Sequence, residues 1–281
     1  MAQALAWLDG VVGPLAEARV PVQDRGFLFA DGVYEVLRAY DGQLFAEAAH
    51  WDRLAASAAG IELTLPFDGA RFGAIARDLL TRGGLTDAEV YVEVTRGVAR
   101  RVHLFPADVA PTVLVWTQPL RPQDPAAKAR GVAVVTLPDE RWARCHLKTV
   151  SLLPNVLAKE QARQLGAFEA VLVRDGLVTE GTSCNVMLVK DGTLVTPLAD
   201  HRILPGVTRA RLLAIAAELG VPTAVRDVPF PELEAADEVF LTGTMIEVMP
   251  VASVNGQPIG QETPGPVTTR LARAFAANLR F

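Results

Sequence analysis

Lys148 lies in the middle of a run, 144–157, that is otherwise largely apolar: Arg-Cys-His-Leu-Lys-Thr-Val-Ser-Leu-Leu-Pro-Asn-Val-Leu. Burial disfavours the charged form of a lysine, so an amine among apolar neighbours gives up its proton readily. A neutral amine is a nucleophile toward aldehydes and forms Schiff bases. Taken alone, such a lysine is an ordinary strand-edge residue that snorkels its amine to water. Two downstream segments offer it partners. Leu177-Val-Thr-Glu-Gly-Thr-Ser-Cys-Asn-Val sets Glu180 between the apolar runs 168–173 and 184–189. An unpaired ionised carboxylate is expensive there. Ile203-Leu-Pro-Gly-Val-Thr-Arg reads as the opening of a helix, whose first N–H groups are free to hold an anion.

An amine for an aldehyde, a carboxylate for a protonated pyridine nitrogen and donors for a phosphate are what pyridoxal 5′-phosphate requires of a protein. In that reading Lys148 attaches the cofactor and Glu180 gains from the ring the cation it lacks. The backbone amides of Val207 and Thr208, with the Thr208 hydroxyl, hold the phosphate. A second group of polar residues lies upstream, in Arg96-Gly-Val-Ala-Arg-Arg-Val-His-Leu-Phe-Pro. Arg101 and His103 are two apart, so in an extended segment they point to the same side. Both can donate to one carboxylate, arginine bidentately; the plainer reading is a solvated basic loop. Tyr34 shares the face of an alternating strand with Gly32 and Val36. Arg53 sits in a helical stretch, where an exposed arginine makes surface pairs of little worth.

These residues together resemble the class IV pyridoxal-phosphate aminotransferases, a family holding the D-amino-acid and branched-chain aminotransferases and aminodeoxychorismate lyase. The resemblance is carried by Lys148 with Ser151-Leu-Leu-Pro-Asn-Val-Leu-Ala-Lys, by Thr179-Glu-Gly-Thr-Ser-Cys-Asn and by Ile203-Leu-Pro-Gly-Val-Thr-Arg, and it runs from Asp24 to about Pro250. It implies an α/β (α+β) chain of fold type IV, with two domains and the active site between them. It further implies that Arg53 grips the cofactor phosphate and that Leu204 lies under the ring. Thr242-Gly-Thr-Met resembles the family's second phosphate loop. Gly243 stands where many relatives carry serine or threonine, which leaves more of that contact to Thr244. Tyr34 matches the tyrosine beside the substrate. Arg101 and His103 match the α-carboxylate trap of the D-amino-acid aminotransferases, which enters the site from the partner subunit of a homodimer.

Branched-chain and aminodeoxychorismate members lack that pair. The implied reaction is therefore transfer of the amino group of a D-amino acid, such as D-alanine, to a 2-oxo acid, such as 2-oxoglutarate. The alternatives are a branched-chain or (R)-selective amine transaminase or a lyase of the same family, and a catalytically silent protein on the same fold.

Composition narrows the field. The chain has 281 residues, half of them apolar, enough for one large or two modest cores. A net charge of −5 carries no basic footprint for nucleic acid. The two cysteines, Cys145 and Cys184, have no paired spacing, which argues against a metal site or disulfide framework and suits a reducing compartment. No signal peptide and no apolar run of membrane-spanning length is visible, so a cytoplasmic protein is expected. Gly181-Thr-Ser-Cys-Asn fails the serine-hydrolase elbow at its last position, and no dinucleotide-binding Gly-x-Gly-x-x-Gly follows a strand.

Five dipeptides, Asp9-Gly10, Asp41-Gly42, Asp175-Gly176, Asp191-Gly192 and Asn255-Gly256, predict tight hairpins. A first domain over 1–117 is expected to hold strands 33–40, 43–45, 90–95 and 112–117 and helices 47–59 and 68–82. In the second of these helices Asp68 is the cap and Gly83-Gly84 the stop. A three-proline linker is read over 118–125. The larger domain, 126–281, is read as the cofactor-binding one. It carries strands 132–137, 168–173, 184–189 and 238–242, and helices 155–165, 206–219 and 267–279.

Overall fold

At all five of those Asx-Gly dipeptides both residues take positive φ, from 48° and 98° at Asp9 and Gly10 to 51° and 78° at Asn255 and Gly256. Two successive left-handed residues make the hairpin turn whose twist matches that of its strands. A computed structural model describes residues 2–121 and 124–279, which group into two units.

The first unit comprises residues 2–121 with Leu147–Ser151. Its strands are β1 (Leu5–Leu8), β2 (Val11–Pro14), β3 (Gly32–Tyr40), β4 (Gln43–Leu44), β5 (Ala88–Thr95) and β6 (Thr112–Pro119). They pair in the order β2-β1-β6-β5-β3-β4. Its helices are α1 (Arg25–Phe29), α2 (Glu47–Gly60) and α3 (Gly69–Gly83). Alternation sends Val33, Leu37, Val90, Val92, Val94, Val113 and Val115 to one face, where they meet Leu54, Phe72 and Leu79 of the helices. The Asp68 carboxylate accepts from Arg71 N, and Gly84 closes the helix at φ 61°, as expected of both.

The second unit comprises residues 124–146 and 152–279. In chain order it holds α4 (Pro125–Arg130), β7 (Val132–Pro138), α5 (Leu153–Gln164), β8 (Glu169–Arg174), β9 (Leu177–Gly181), β10 (Asn185–Lys190) and β11 (Thr193–Thr196). There follow α6 (Val207–Glu218), β12 (Thr223–Val225), α7 (Phe230–Glu234), β13 (Glu238–Gly243), β14 (Glu247–Val254), β15 (Gln257–Pro258) and α8 (Pro266–Ala277). The sheet runs β12-β11-β10-β13-β14-β7-β8-β9, with β15 on β14. Its core includes Val171, Val186, Leu188, Val239, Leu241 and Val251.

Two readings differ from the structure. Gln118 and Pro119 close β6 and Pro125 opens α4 behind its Asp124 cap, so the linker read over 118–125 is largely absorbed; residues 122 and 123 lie outside the described residues. Proline is tolerated at both places, because neither a strand end nor a first helical turn needs its N–H. Leu147–Ser151, read with the larger domain, instead groups with the first unit. No helix among the described residues is long and apolar enough to cross a membrane.

Candidate active site

Lys148 is held by a strand it joins from far along the chain. Val33 and Thr149 form an antiparallel bridge, Tyr34 N donates to Lys148 O at 3.0 Å and Val150 N donates to Gly32 O at 3.1 Å. Lys148 N donates to Ser57 Oγ of α2 at 3.0 Å. Paired residues share a face. Leu147 and Thr149 are buried accordingly, whereas Lys148 is half-buried on the side of Tyr34, with Nζ 4.1 Å from that ring's centroid. The amine thus rests on an aromatic face rather than among aliphatic side chains. Tyr34 is itself stacked on Tyr91 at 5.5 Å, and Tyr91 on Trp116 at 5.0 Å, so the platform beneath the amine is a rigid ladder.

The opposite face of β3 carries an exception to its apolar alternation. Glu35 shares the core side with Val33 and Leu37 and is 1% exposed. A carboxylate there must be paired. Arg53 Nε donates to Oε1 at 2.6 Å and Arg53 Nη2 to Oε2 at 2.9 Å, while His50 Nδ1 lies 2.8 Å from Oε2. His50, Arg53 and Ser57 recur at helical spacing on α2, a polar stripe facing β3. Arg53 is therefore no surface arginine: its fork is fixed on Glu35 and its side chain is 10% exposed. Burial pushes the Glu35 carboxyl up, but the bonds from His50 and Arg53 outweigh it and hold the group down at about 2.

A depressed acid stabilises the fold above its unfolded pKa, and that contribution is lost as pH falls through the folded value. Going from 4.5 to about 2 corresponds to about 3 kcal/mol at the usual conversion. Denaturant unfolding stepped from pH 5 to 2 is expected to show Glu35→Gln losing about that much less stability than the parent chain. Parallel curves would show that Glu35 is not held ionised.

Arg101 and His103 occupy an exposed turn after β5. The Arg101 guanidinium lies 5.2 Å from the Phe29 ring centroid and the His103 ring 5.5 Å from the same ring, so the two meet at Phe29 although the segment is a turn and not the extended stretch their spacing was read on.

In the second unit Glu180, 4% exposed, lies on β9. The Arg141 guanidinium donates to Oε1, Asn185 Nδ2 to Oε2 at 3.0 Å, and Leu204 N to both oxygens at 3.1 Å. The expectation that Glu180 lacks a cation until a pyridinium arrives is corrected here, because Arg141 already supplies one. Arg141 in turn grips Asp139 through Nε and Nη2, each at 2.9 Å. Burial pushes the Glu180 carboxyl up, with Arg141 and the Leu204 N–H working against it. Three donors do not exhaust the acceptor sites of a carboxylate, so a further cation fits. Arg141, Asp139 and Asn185 were not singled out from the sequence. Asp139 and Arg141 are two apart with opposite charge just after β7, and that pairing is the signal the sequence carries.

Next to Glu180 stands the start of α6. Its cap, Gly206, offers no side chain to the first-turn N–H groups. Any Cβ at Gly206 would come within 1.9 Å of Asn185 Oδ1, so the close approach of this turn to the Glu180 cluster demands glycine. Asn185 ties them further by donating to Leu204 O at 3.0 Å. Thr208 is buried behind Val207. Asn185 pairs with Thr242 on β13, whose buried hydroxyl has no hydrogen-bond partner among the described residues. Gly243 ends β13, where a Cβ would meet only ordinary contacts, the nearest at 3.6 Å; Thr244 follows, half-buried. An uncapped helix start and an unpartnered hydroxyl suit an anion such as a phosphate monoester. A nearby buried carboxylate with spare acceptor capacity suits a protonated ring nitrogen. The donor set fits a phosphorylated pyridine.

The sequence-predicted residues of the first unit thus stand in three groups, Lys148 on Tyr34, Arg53 on Glu35, and Arg101 with His103 on Phe29, while Glu180, Leu204, Val207, Thr208, Gly243 and Thr244 belong to the second unit. Among the described residues no cluster of His, Cys, Asp or Glu could hold a metal ion.

Comparison with known proteins gives a consistent picture. The profile of the class IV amino-transferases matches residues 32–254. The D-alanine aminotransferase of Bacillus licheniformis is 42% identical over 260 residues, 92% of each chain. That of Listeria monocytogenes is 40% identical over 266 residues, 94% of this chain and 92% of its own. Among solved structures, the branched-chain amino acid aminotransferase of Escherichia coli superposes with a TM-score of 0.92 at 27% identity, covering 98% of this chain and 94% of that one. A fold IV transaminase from Curtobacterium pusillum does so with a TM-score of 0.84 at 25% identity, over 99% and 100% of the two chains.

Proposed function

Since the chain belongs to the class IV aminotransferases, a family of fold type IV enzymes, we propose that it is a D-amino-acid transaminase. It moves the amino group of a D-amino acid such as D-alanine to a 2-oxo acid such as 2-oxoglutarate, using pyridoxal 5′-phosphate. When bound, that cofactor supplies the aldehyde and the electron-withdrawing ring.

The rest is the work of side chains. Lys148 Nζ attaches the cofactor, takes the substrate α-proton as a base and returns it as an acid. The Tyr34 face limits the directions in which that nitrogen can move. Glu180, kept in place by Arg141 and Asn185, holds the ring nitrogen protonated. Val207 and Thr208 N–H groups, with Thr244 beside Gly243, hold the phosphate, and Arg53 adds charge while anchored on Glu35. Leu204 would give the cofactor an apolar contact. Arg101, His103 and Tyr34 hold the substrate carboxylate, and so decide which face of the α-carbon meets Lys148.

Two chains act together in this reading, each lending Arg101 and His103 to the site of its partner in a homodimer. Support comes from the surroundings of the pair: Val102, Leu104 and Phe105 of the same turn are exposed apolar side chains. The buried free thiols of Cys145 and Cys184 suit a reducing compartment such as the cytoplasm.

The observation that carries the choice of substrate is the Arg101/His103 pair standing together on Phe29. Arg101→Ala is expected to raise KM for D-alanine by about 100-fold, the equivalent of losing charged, bidentate bonds, and to change KM for (R)-1-phenylethylamine by less than about threefold. Equal losses would remove the carboxylate role, and preferred turnover of L-leucine would favour the branched-chain alternative. Mixing Arg101→Ala subunits with Lys148→Ala subunits should regenerate D-alanine activity, because one site of the mixed dimer then has both groups. Failure of mixed dimers to do so would place Arg101 in the site of its own chain.

A further inference from the structure

Between Arg96 and Pro106 the chain forms no helix or extended strand, so side chains from elsewhere must decide where Arg101 and His103 stand. Three buried or nearly buried residues do this. Arg25, 3% exposed, donates through Nε to Asp31 Oδ2 at 2.7 Å. Its Nη1 donates to Val102 O at 2.7 Å and reaches Leu104 O at 3.4 Å, the carbonyls on either side of His103. Asp31 also accepts from Arg96 Nε at 2.9 Å. Arg96 donates to Glu62 O at 2.8 Å and Ile61 O at 2.6 Å, and its guanidinium lies 3.7 Å from the Phe105 ring centroid. The turn is thus tied at both of its ends through one carboxylate lying between two guanidinium groups.

Phe29 completes the arrangement. Its ring takes the Arg25 guanidinium at 4.8 Å on the one hand, and Arg101 and His103 on the other. The backbone beneath is anchored as well: Arg25 N donates to Gly97 O at 2.9 Å, Asp24 bridges Val98, and Asp24 accepts from Thr95 Oγ1 at 2.9 Å.

We propose that Arg25, braced by Asp31 and Arg96, is a positioning residue for the substrate carboxylate, fixing through Val102, Leu104 and Phe29 the relative placement of Arg101 and His103. This rests on the reading of Arg101 and His103 as the groups that bind that carboxylate. The role needs the arginine fork, because Nε and Nη1 serve the carboxylate and the turn from two fixed positions at once; the three donors of a lysine radiate from one nitrogen, which cannot occupy both positions. A misplacement of about 1 Å in a group that orients substrate costs up to about 100-fold.

The test compares Arg25→Lys, Phe29→Leu and Arg101→Ala as holoenzymes, with KM and kcat measured for D-alanine and for (R)-1-phenylethylamine, alongside cofactor content from absorbance. Arg25→Lys is expected to raise KM for D-alanine about tenfold or more, to change KM for the amine less than about twofold, and to keep full cofactor content. Phe29→Leu, at a half-buried ring outside the ion pairs, is expected to show the same selectivity in smaller measure, and serves where Arg25→Lys does not fold. Selective loss in Arg101→Ala together with unselective or absent effects in the other two would overturn the positioning role alone. An unselective Arg101→Ala would overturn the carboxylate reading, and the positioning role with it.

Discussion

Lys148→Ala is expected to lower turnover of D-alanine by about 10⁴-fold or more while leaving the protein folded. The size follows from the two duties of one nitrogen, since positioned proton transfer alone is worth up to about 10⁴-fold and covalent attachment is lost with it. Folding should survive because the main chain of residue 148, not its side chain, makes the bonds to Tyr34 and Ser57. The amine contributes its contact with the Tyr34 ring, worth roughly 0.5–1 kcal/mol at a part-exposed site, and a through-space attraction to Glu35 that Arg53 and His50 exceed. Steady-state rates, with a thermal midpoint as control, check both halves. Borohydride reduction of the cofactor-loaded parent should fix cofactor to the chain, and the variant should release it on denaturation. Turnover within a factor of ten of the parent would take the catalytic role away from Lys148.

Arg141→Leu is expected to cost about 3–5 kcal/mol, the usual penalty for removing one partner of a buried ion pair. Its guanidinium, 7% exposed, serves Glu180 and Asp139, and once it is gone Asp139 keeps the Arg174 contact at 3.0 Å and the Thr179 hydroxyl at 2.9 Å, while Glu180 keeps no ion-pair partner among the described residues. Burial acts to raise the Asp139 carboxyl, and the bonds and charge of Arg141, with smaller help from Thr179 and Arg174, bring it below the ordinary range. Without them both carboxyls move upward. An acid raised above its unfolded pKa destabilises the fold increasingly as pH rises from the unfolded value to the folded one. The deficit of Arg141→Leu should accordingly be larger at pH 8 than at pH 5. Denaturant unfolding of parent and variant at the two pH values measures it, and a deficit below 1 kcal/mol at pH 8 would show the pair to be energetically idle. Adding Glu180→Gln should return part of the loss, since an amide carries no charge to strand.

Turn chemistry acts over two residues, and helix caps and periodicity over a few more, so these features could be read directly from the chain. The Asx-Gly hairpins, the Asp68 cap and the Gly84 stop all stand where they were expected. The kinds of group needed for the chemistry were legible in the same way: an amine at 148, a carboxylate at 180 and an uncapped helix start at 207. Glu35 too stands in the sequence as a charge at a core position of β3. What folding alone decided is which groups meet. Ser57 holds the lysine peptide from 91 residues away, Arg25 holds the Val102 carbonyl from 77 away, and Arg141 reaches Glu180 across 39. Such partners are selected by strand register and by the cost of leaving a buried charge unpaired, and neither leaves a mark in the spacing of nearby residues.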